Sequence, residues 1–146
     1  MSEIPAPDSL RRVDVVRTAV GRYVARNSAG AELEFGQGDG LLSPVELLLA
    51  ALAGCSSIDV DTVTSRSAEP LEFNVTATGH KVIEANKANR LEDLNLSFNF
   101  AFPDTDGGRK AAGLVERLVG LSHDKYCTVS RTVEHGTPVS HDITVR

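Results

Sequence analysis

Two cysteines, Cys55 and Cys127, are the residues of this chain best suited to covalent chemistry, because a thiolate is both a nucleophile and a metal ligand. Burial among apolar groups alone raises a thiol's pKa and makes it inert, so a reactive cysteine needs a nearby cation or hydrogen-bond donor. Cys55 is flanked by Ala53, Gly54, Ser56 and Ser57, small residues that let another chain segment or a substrate come close. The same pattern also describes a cysteine packed in a core. Around Cys127, His123, Lys125 and Arg131 lie within about one turn, and each can stabilise a thiolate or simply be a solvated charge. The spacing of His123 and Cys127 suits a metal, but no CxxC or second histidine pair completes a site. No metal and no cofactor is called for.

The elements that must position these residues are legible in outline. Val13–Ala19, Arg22–Asn27 and Ala31–Phe35 are short runs rich in β-branched, aromatic or alternating residues, separated by Val20-Gly21 and Ser28-Ala29-Gly30, and they predict a three-stranded meander. The glycine-rich loop 36–40 follows. Ser43 as N-cap, Pro44 as first helical residue and Glu46 reaching back to the Ser43 amide then form a capping box, the strongest helix start in the sequence. The helix carries Leu47–Ala53 with apolar residues on every face, which predicts central burial, and Cys55 about three turns inside it. Interruption by Gly54, Ser56, Ser57 and Asp59 argues against a membrane span.

Glu72–Thr78 and Leu94–Phe100 alternate with period two and predict half-buried strands, joined through the polar stretch 84–89. Ala111, Ala112, Leu114, Val115, Leu118 and Val119 predict a second helix ending near Gly120. Ser122-His123-Asp124 is expected to cap a third helix over Lys125–Val133, stopped at Gly136, with Cys127 near its N-terminus where the helix dipole favours a thiolate. Val139–Val145 reads as a closing strand. The class is α+β.

At 146 residues the chain fits one domain, 1–146, with 1–12 as a flexible N-terminal extension. A net charge of -5 leaves no broad basic footprint for nucleic acid, and 41% apolar content is ordinary for a soluble protein. The N-terminal stretch lacks the basic-then-apolar pattern of a secretory signal, so the expected location is cytoplasmic.

Ser43-Pro44-Val45-Glu46-Leu47 through Ala53-Gly54-Cys55 resembles the central helix of the OsmC/Ohr family, and Lys125-Tyr126-Cys127-Thr128-Val129-Ser130 resembles its second cysteine motif. The resemblance covers nearly the whole chain in element order. It implies an OsmC-like fold in an intertwined homodimer with active sites shared between subunits, which also gives an all-apolar helix a second surface to bury against. It further implies thiol-dependent reduction of organic hydroperoxides: Cys55 becomes a sulfenic acid, Cys127 resolves it as a disulfide, and an external dithiol of lipoyl type reduces that disulfide. No nucleic acid and no membrane enter this scheme.

The family's activating acid directly after the proline is absent, since that position is Val45, and Glu46 comes one residue later. The loop 36–42 carries no arginine, which leaves Arg22, and next Arg17, as the candidate activating guanidinium. Ser56-Ser57-Ile58-Asp59-Val60 resembles a less-characterised OsmC-like branch that also lacks the acid. Alternatives are therefore a non-catalytic redox sensor, a binder of small apolar or electrophilic ligands, or a purely structural interaction protein.

Overall fold

Contacts in a computed structural model that describes residues 3–146 group the chain into two compact units, Met1–Leu47 and Leu48–Arg146. In the first, β1 (Val13–Ala19), β2 (Arg22–Asn27) and β3 (Glu32–Gly36) form an antiparallel sheet in the order β1-β2-β3. This is the predicted meander. Tyr23 stands opposite Phe35 in the register, and their rings stack at 5.8 Å. Of the expected N-terminal extension 1–12, residues 1 and 2 lie outside the described residues, and 3–12 carry no helix or strand.

Helix α1 (Pro44–Thr64) begins where the capping box places it. The Ser43 amide donates to Glu46 Oε1 at 2.9 Å, and the Glu46 amide donates to Ser43 Oγ at 3.1 Å. Burial departs from the expectation of a helix covered on all sides. Only Leu52, Ser56, Val60 and Thr64 are buried, a stripe at every fourth residue, while Ala51 and Ile58 on the opposite side are exposed. By length and composition alone α1 is long and apolar enough to cross a membrane, contrary to the expectation from its polar interruptions. Those polar residues are engaged, however: Ser56 and Asp59 both hydrogen-bond to Ser122 of a later element.

In the second unit, β4 (Glu72–Ile83) and β5 (Asn89–Ala101) form one long antiparallel hairpin. Both strands extend beyond the predicted ranges because the polar residues near the turn still pair, with Arg90 bridging Glu84 at 2.7 Å. Phe73 faces Phe100 edge-on at 4.5 Å, and Phe98 and Phe102 stack to either side of Phe100 at 6.0 and 6.1 Å. Helix α2 (Asp106–Leu121) starts at the N-cap Thr105, whose hydroxyl accepts from the Gly108 amide at 3.0 Å. A side chain at Gly108 would run into the Pro103 carbonyl oxygen, so only glycine permits this tight entry.

The region after α2 differs most from the sequence reading. No break separates the helices: α2 runs directly into a π-turn over Ser122–Tyr126, and α3 spans Thr128–His135. Cys127 is therefore the N-cap of α3, not a residue inside it. The wider turn arises because the Cys127 amide donates five residues back, to the Ser122 carbonyl at 2.8 Å. Gly136 ends α3 in the left-handed conformation at φ 69°, as its position predicts. Val139–Val145 forms no strand, since no edge among the described residues pairs with it, and Val139, Ile143 and Val145 stay exposed.

Candidate functional site

Cys55 faces α3 from α1. The groups acting on its sulfur identify its neighbours: the backbone amide of Val129, the Cys127 side chain and the Asp59 carboxylate. The two cysteines that lie far apart in sequence are thus brought together, and both are free thiols. Cys127 is 1% exposed, whereas Cys55 is only partly buried. A small molecule reaches Cys55 more readily.

The local chain explains the arrangement. The first amides of a helix have no partner within it. In α3 the Ser130 amide donates to Cys127 Sγ at 3.4 Å, and the Val129 amide acts on Cys55. One helix start therefore lies against both sulfurs and hydrogen-bonds that of Cys127. Burial nevertheless pushes the Cys55 thiol above its ordinary pKa; the Val129 amide pulls the other way, and Cys127 and Asp59 add to the rise. No lysine, arginine or histidine is among the groups that set it.

The other residues singled out in the sequence lie in the first unit, where the charges of Arg22 and Glu46 are engaged. Arg22 in β2 pairs with Glu34 at 3.2 Å, Arg17 sits in β1 opposite Tyr23, and Glu46 is held in the capping box. The Ser43 amide, and then its hydroxyl, keep the Glu46 carboxyl below the usual carboxylate range. Of the cations near Cys127 in sequence, His123 and Arg131 both turn to Glu134, at 3.5 and 4.0 Å.

A cavity of about 290 Å³ lies in the second unit, lined by Leu52 and Ser56 of α1, Leu96 and Phe98 of the hairpin, and His123 and Ser130, among others. Neither cysteine lines it. Ser56 adjoins Cys55 in sequence, and Ser130 donates to Cys127, so the cavity wall is one residue or one bond from each sulfur. The sequence reading missed a buried polar chain beside the thiols: Ser122 Oγ donates to Asp59 Oδ2 at 2.6 Å and lies 3.2 Å from Ser56 Oγ. Its one signal was an aspartate in an apolar helix four residues after a cysteine.

Residues 36–142 match the family described as OsmC-like protein. The chain belongs to the OsmC-like protein family. Among its relatives, Protein YhfA of Escherichia coli is 29% identical over 126 residues, 84% of this chain and 89% of that protein. A solved structure of a hypothetical protein from Aquifex aeolicus superposes with a TM-score of 0.68 at 23% identity, covering 88% of this chain and 89% of that one. One from Legionella pneumophila, named an organic hydroperoxide resistance protein OsmC and predicted redox protein, gives 0.57 at 16% identity, covering 85% and 88%. These likenesses establish the OsmC-like fold, α+β with N-terminal strands, a central helix and C-terminal helices.

Proposed function

We propose that this OsmC-like protein is a thiol peroxidase for organic hydroperoxides in oxidative-stress defence, with Cys55 as the peroxide-reactive thiol and Cys127 as the resolving one. The observation that carries the reading is the convergence of both sulfurs on the start of α3. A structural neighbour, the Legionella pneumophila protein, also bears the name organic hydroperoxide resistance protein. The Cys55 thiolate attacks the outer peroxide oxygen, the O–O bond breaks, and the alkoxide leaves and is protonated to the alcohol. Cys127 then attacks the sulfenic sulfur, releasing water and forming a disulfide that an external dithiol of lipoyl type returns to two thiols. The partly apolar cavity suits an organic rather than an ionic peroxide.

Activation requires a cation that the residues around Cys55 do not supply. Arg22 is the proposed source, from a complete site built by two copies, with Glu46 orienting it. A homodimer fits the exposed surface. On the face of α1 opposite its buried stripe Ile58 is 68% exposed, an apolar surface that a second copy can cover. In this reading the chain is one domain of a cytoplasmic dimer, completed by its partner copy.

Peroxide loss measured with cumene hydroperoxide and a dithiol tests the proposal. Cys55→Ser is expected to abolish turnover, and Cys127→Ser to leave one round of attack with a sulfenic acid trapped by dimedone. Turnover by Cys55→Ser at the native rate would sink it. A second reading, a non-catalytic redox sensor, is favoured by Val45 directly after Pro44 and by the arginine-free loop 36–42. It predicts a Cys55–Cys127 disulfide after peroxide treatment without sustained consumption.

A further inference from the structure

Ser122 is the joint between α1 and the segment that carries Cys127. It is fully buried, and each of its polar groups is used. Its amide donates into the end of α2, to the Leu118 and Val119 carbonyls. Its carbonyl accepts the Cys127 amide at 2.8 Å, the bond that closes the π-turn. Its hydroxyl donates to Asp59 Oδ2 at 2.6 Å. An ionised carboxylate only accepts, so the Ser122 proton points to Asp59, and Ser56 Oγ at 3.2 Å donates to Ser122 in turn. Among the described residues, both side-chain hydrogen bonds that leave α1 for another element of the second unit end on this one serine.

Asp59 lies one turn beyond Cys55 on the same helix. Aspartate is a poor mid-helix residue, because its side chain competes for backbone groups. Here its carboxylate instead crosses to a neighbouring element. The path from the reacting sulfur to the resolving one thus runs along one turn of α1, through a charge-assisted hydrogen bond to Ser122, and through the Ser122 carbonyl to the Cys127 amide.

We propose that Asp59 is a positioning residue for disulfide closure: by anchoring Ser122 it holds the π-turn so that Cys127 stays at Cys55. Asp59 does not touch the peroxide. The step it serves is attack of the Cys127 thiolate on the Cys55 sulfenic sulfur, in which the S–O bond breaks and hydroxide leaves with the thiol's proton as water. The proposal rests on the dithiol reading of the site, and it deepens that reading by dividing the machinery into a part for attack and a part for closure.

Three variants separate the hydrogen bond from the charge and from general structural damage. Asp59→Asn keeps an acceptor for Ser122 without the charge; Asp59→Ala and Ser122→Ala each remove the bond. After one equivalent of cumene hydroperoxide, conversion of sulfenic acid to disulfide is followed by quenched mass spectrometry. Asp59→Ala and Ser122→Ala are expected to slow closure about tenfold or more and to let dimedone trap the sulfenic acid, with the double variant no slower than either single one. Initial attack on peroxide, measured in a Cys127→Ser background, is expected to hold its rate in the Ser122→Ala variant. Asp59→Asn is expected to stay within about threefold of native closure, a rescue that a role of the charge itself does not predict, while the loss in Ser122→Ala, which leaves the Asp59 side chain whole, is one that a merely volume-filling role does not predict.

A second arm needs no peroxidase activity. In glutathione buffers, where protein dithiol and oxidised glutathione exchange for protein disulfide and two reduced glutathiones, loss of the bond is expected to disfavour the Cys55–Cys127 disulfide about tenfold, or about 30 mV toward a more oxidising couple. Closure at the native rate in Ser122→Ala, loss in Asp59→Asn equal to that in Ser122→Ala, or no intramolecular disulfide in the native protein overturns the proposal. If Asp59→Ala fails to fold, the isosteric pair Asp59→Asn and Ser122→Ala decides the matter. If the native protein consumes no peroxide, the peroxidase reading fails, and the glutathione arm still reads the tether.

Discussion

At the scale of single residues, the site presents opposed demands on Cys55. A peroxide-reactive sulfur must be a thiolate, yet burial, Cys127 and Asp59 all favour the protonated thiol, against one backbone amide, that of Val129. A thiol with a raised pKa gains reactivity only as pH climbs through that raised value. If Arg22 completes the site, the pH profile of Cys55 alkylation in the native dimer has its inflection below the ordinary thiol range. Arg22→Gln then moves it above and slows peroxide attack at pH 7 by about tenfold or more, since each pKa unit is a tenfold change in thiolate at fixed pH. Stopped-flow alkylation with iodoacetamide from pH 5 to 10 makes the comparison, and an unchanged profile in Arg22→Gln removes Arg22 from the site. The cysteine pair itself was legible because both cysteines sit in recognisable local motifs. Their polar surroundings were not: the Val129 and Ser130 amides are backbone groups with no signature in the sequence, and Asp59 read only as a polar interruption of an apolar helix.

At the scale of elements, what the sequence showed depended on whether the determining bonds are local. The start of α1 is fixed within four residues, and Ser43, Pro44 and Glu46 form the capping box that their spacing implies. The π-turn depends on one amide reaching back five residues and on a serine tethered to a helix more than sixty residues earlier, which no local pattern encodes. The closing strand failed for a related reason: alternation in Val139–Val145 states that a strand is possible, but a strand exists only with an edge to pair against. The capping box makes a direct prediction. Ser43→Ala costs about 1 kcal/mol in denaturant unfolding at pH 7. Glu46 titrates lower in the folded chain than unfolded, so its contribution is present above the unfolded carboxyl pKa and is lost as pH falls through the lower folded value. Glu46→Ala is therefore destabilising at pH 7, and its difference from native narrows on acidification. A difference that is constant with pH contradicts the carboxylate's part in the cap.

At the scale of the whole molecule, α1 shows what one copy of the chain leaves undone. Its buried stripe Leu52, Ser56, Val60 and Thr64 uses one face, and the opposite face presents Ala51, Gly54 and Ile58, with Ile58 68% exposed. A side chain added at Gly54 would meet nothing within 4 Å, so this face is open within the chain. Small residues flanking one large apolar one suit close approach of another helix, and Cys55 lies at the edge of that face, next to Gly54. A second copy docked there would bury Ile58 and bring further residues to the thiol without displacing the start of α3. Ile58→Glu tests the arrangement at the point where the single chain has least at stake, because an exposed glutamate does not disturb the buried stripe. Sedimentation at micromolar concentration is expected to give twice the 15.6 kDa chain mass for the native protein and the chain mass for Ile58→Glu. Far-UV circular dichroism should be retained and peroxide turnover largely lost. A native monomer, or a dimer that accepts the glutamate unchanged, places the second surface of α1 elsewhere and returns the activation of Cys55 to groups within its own chain.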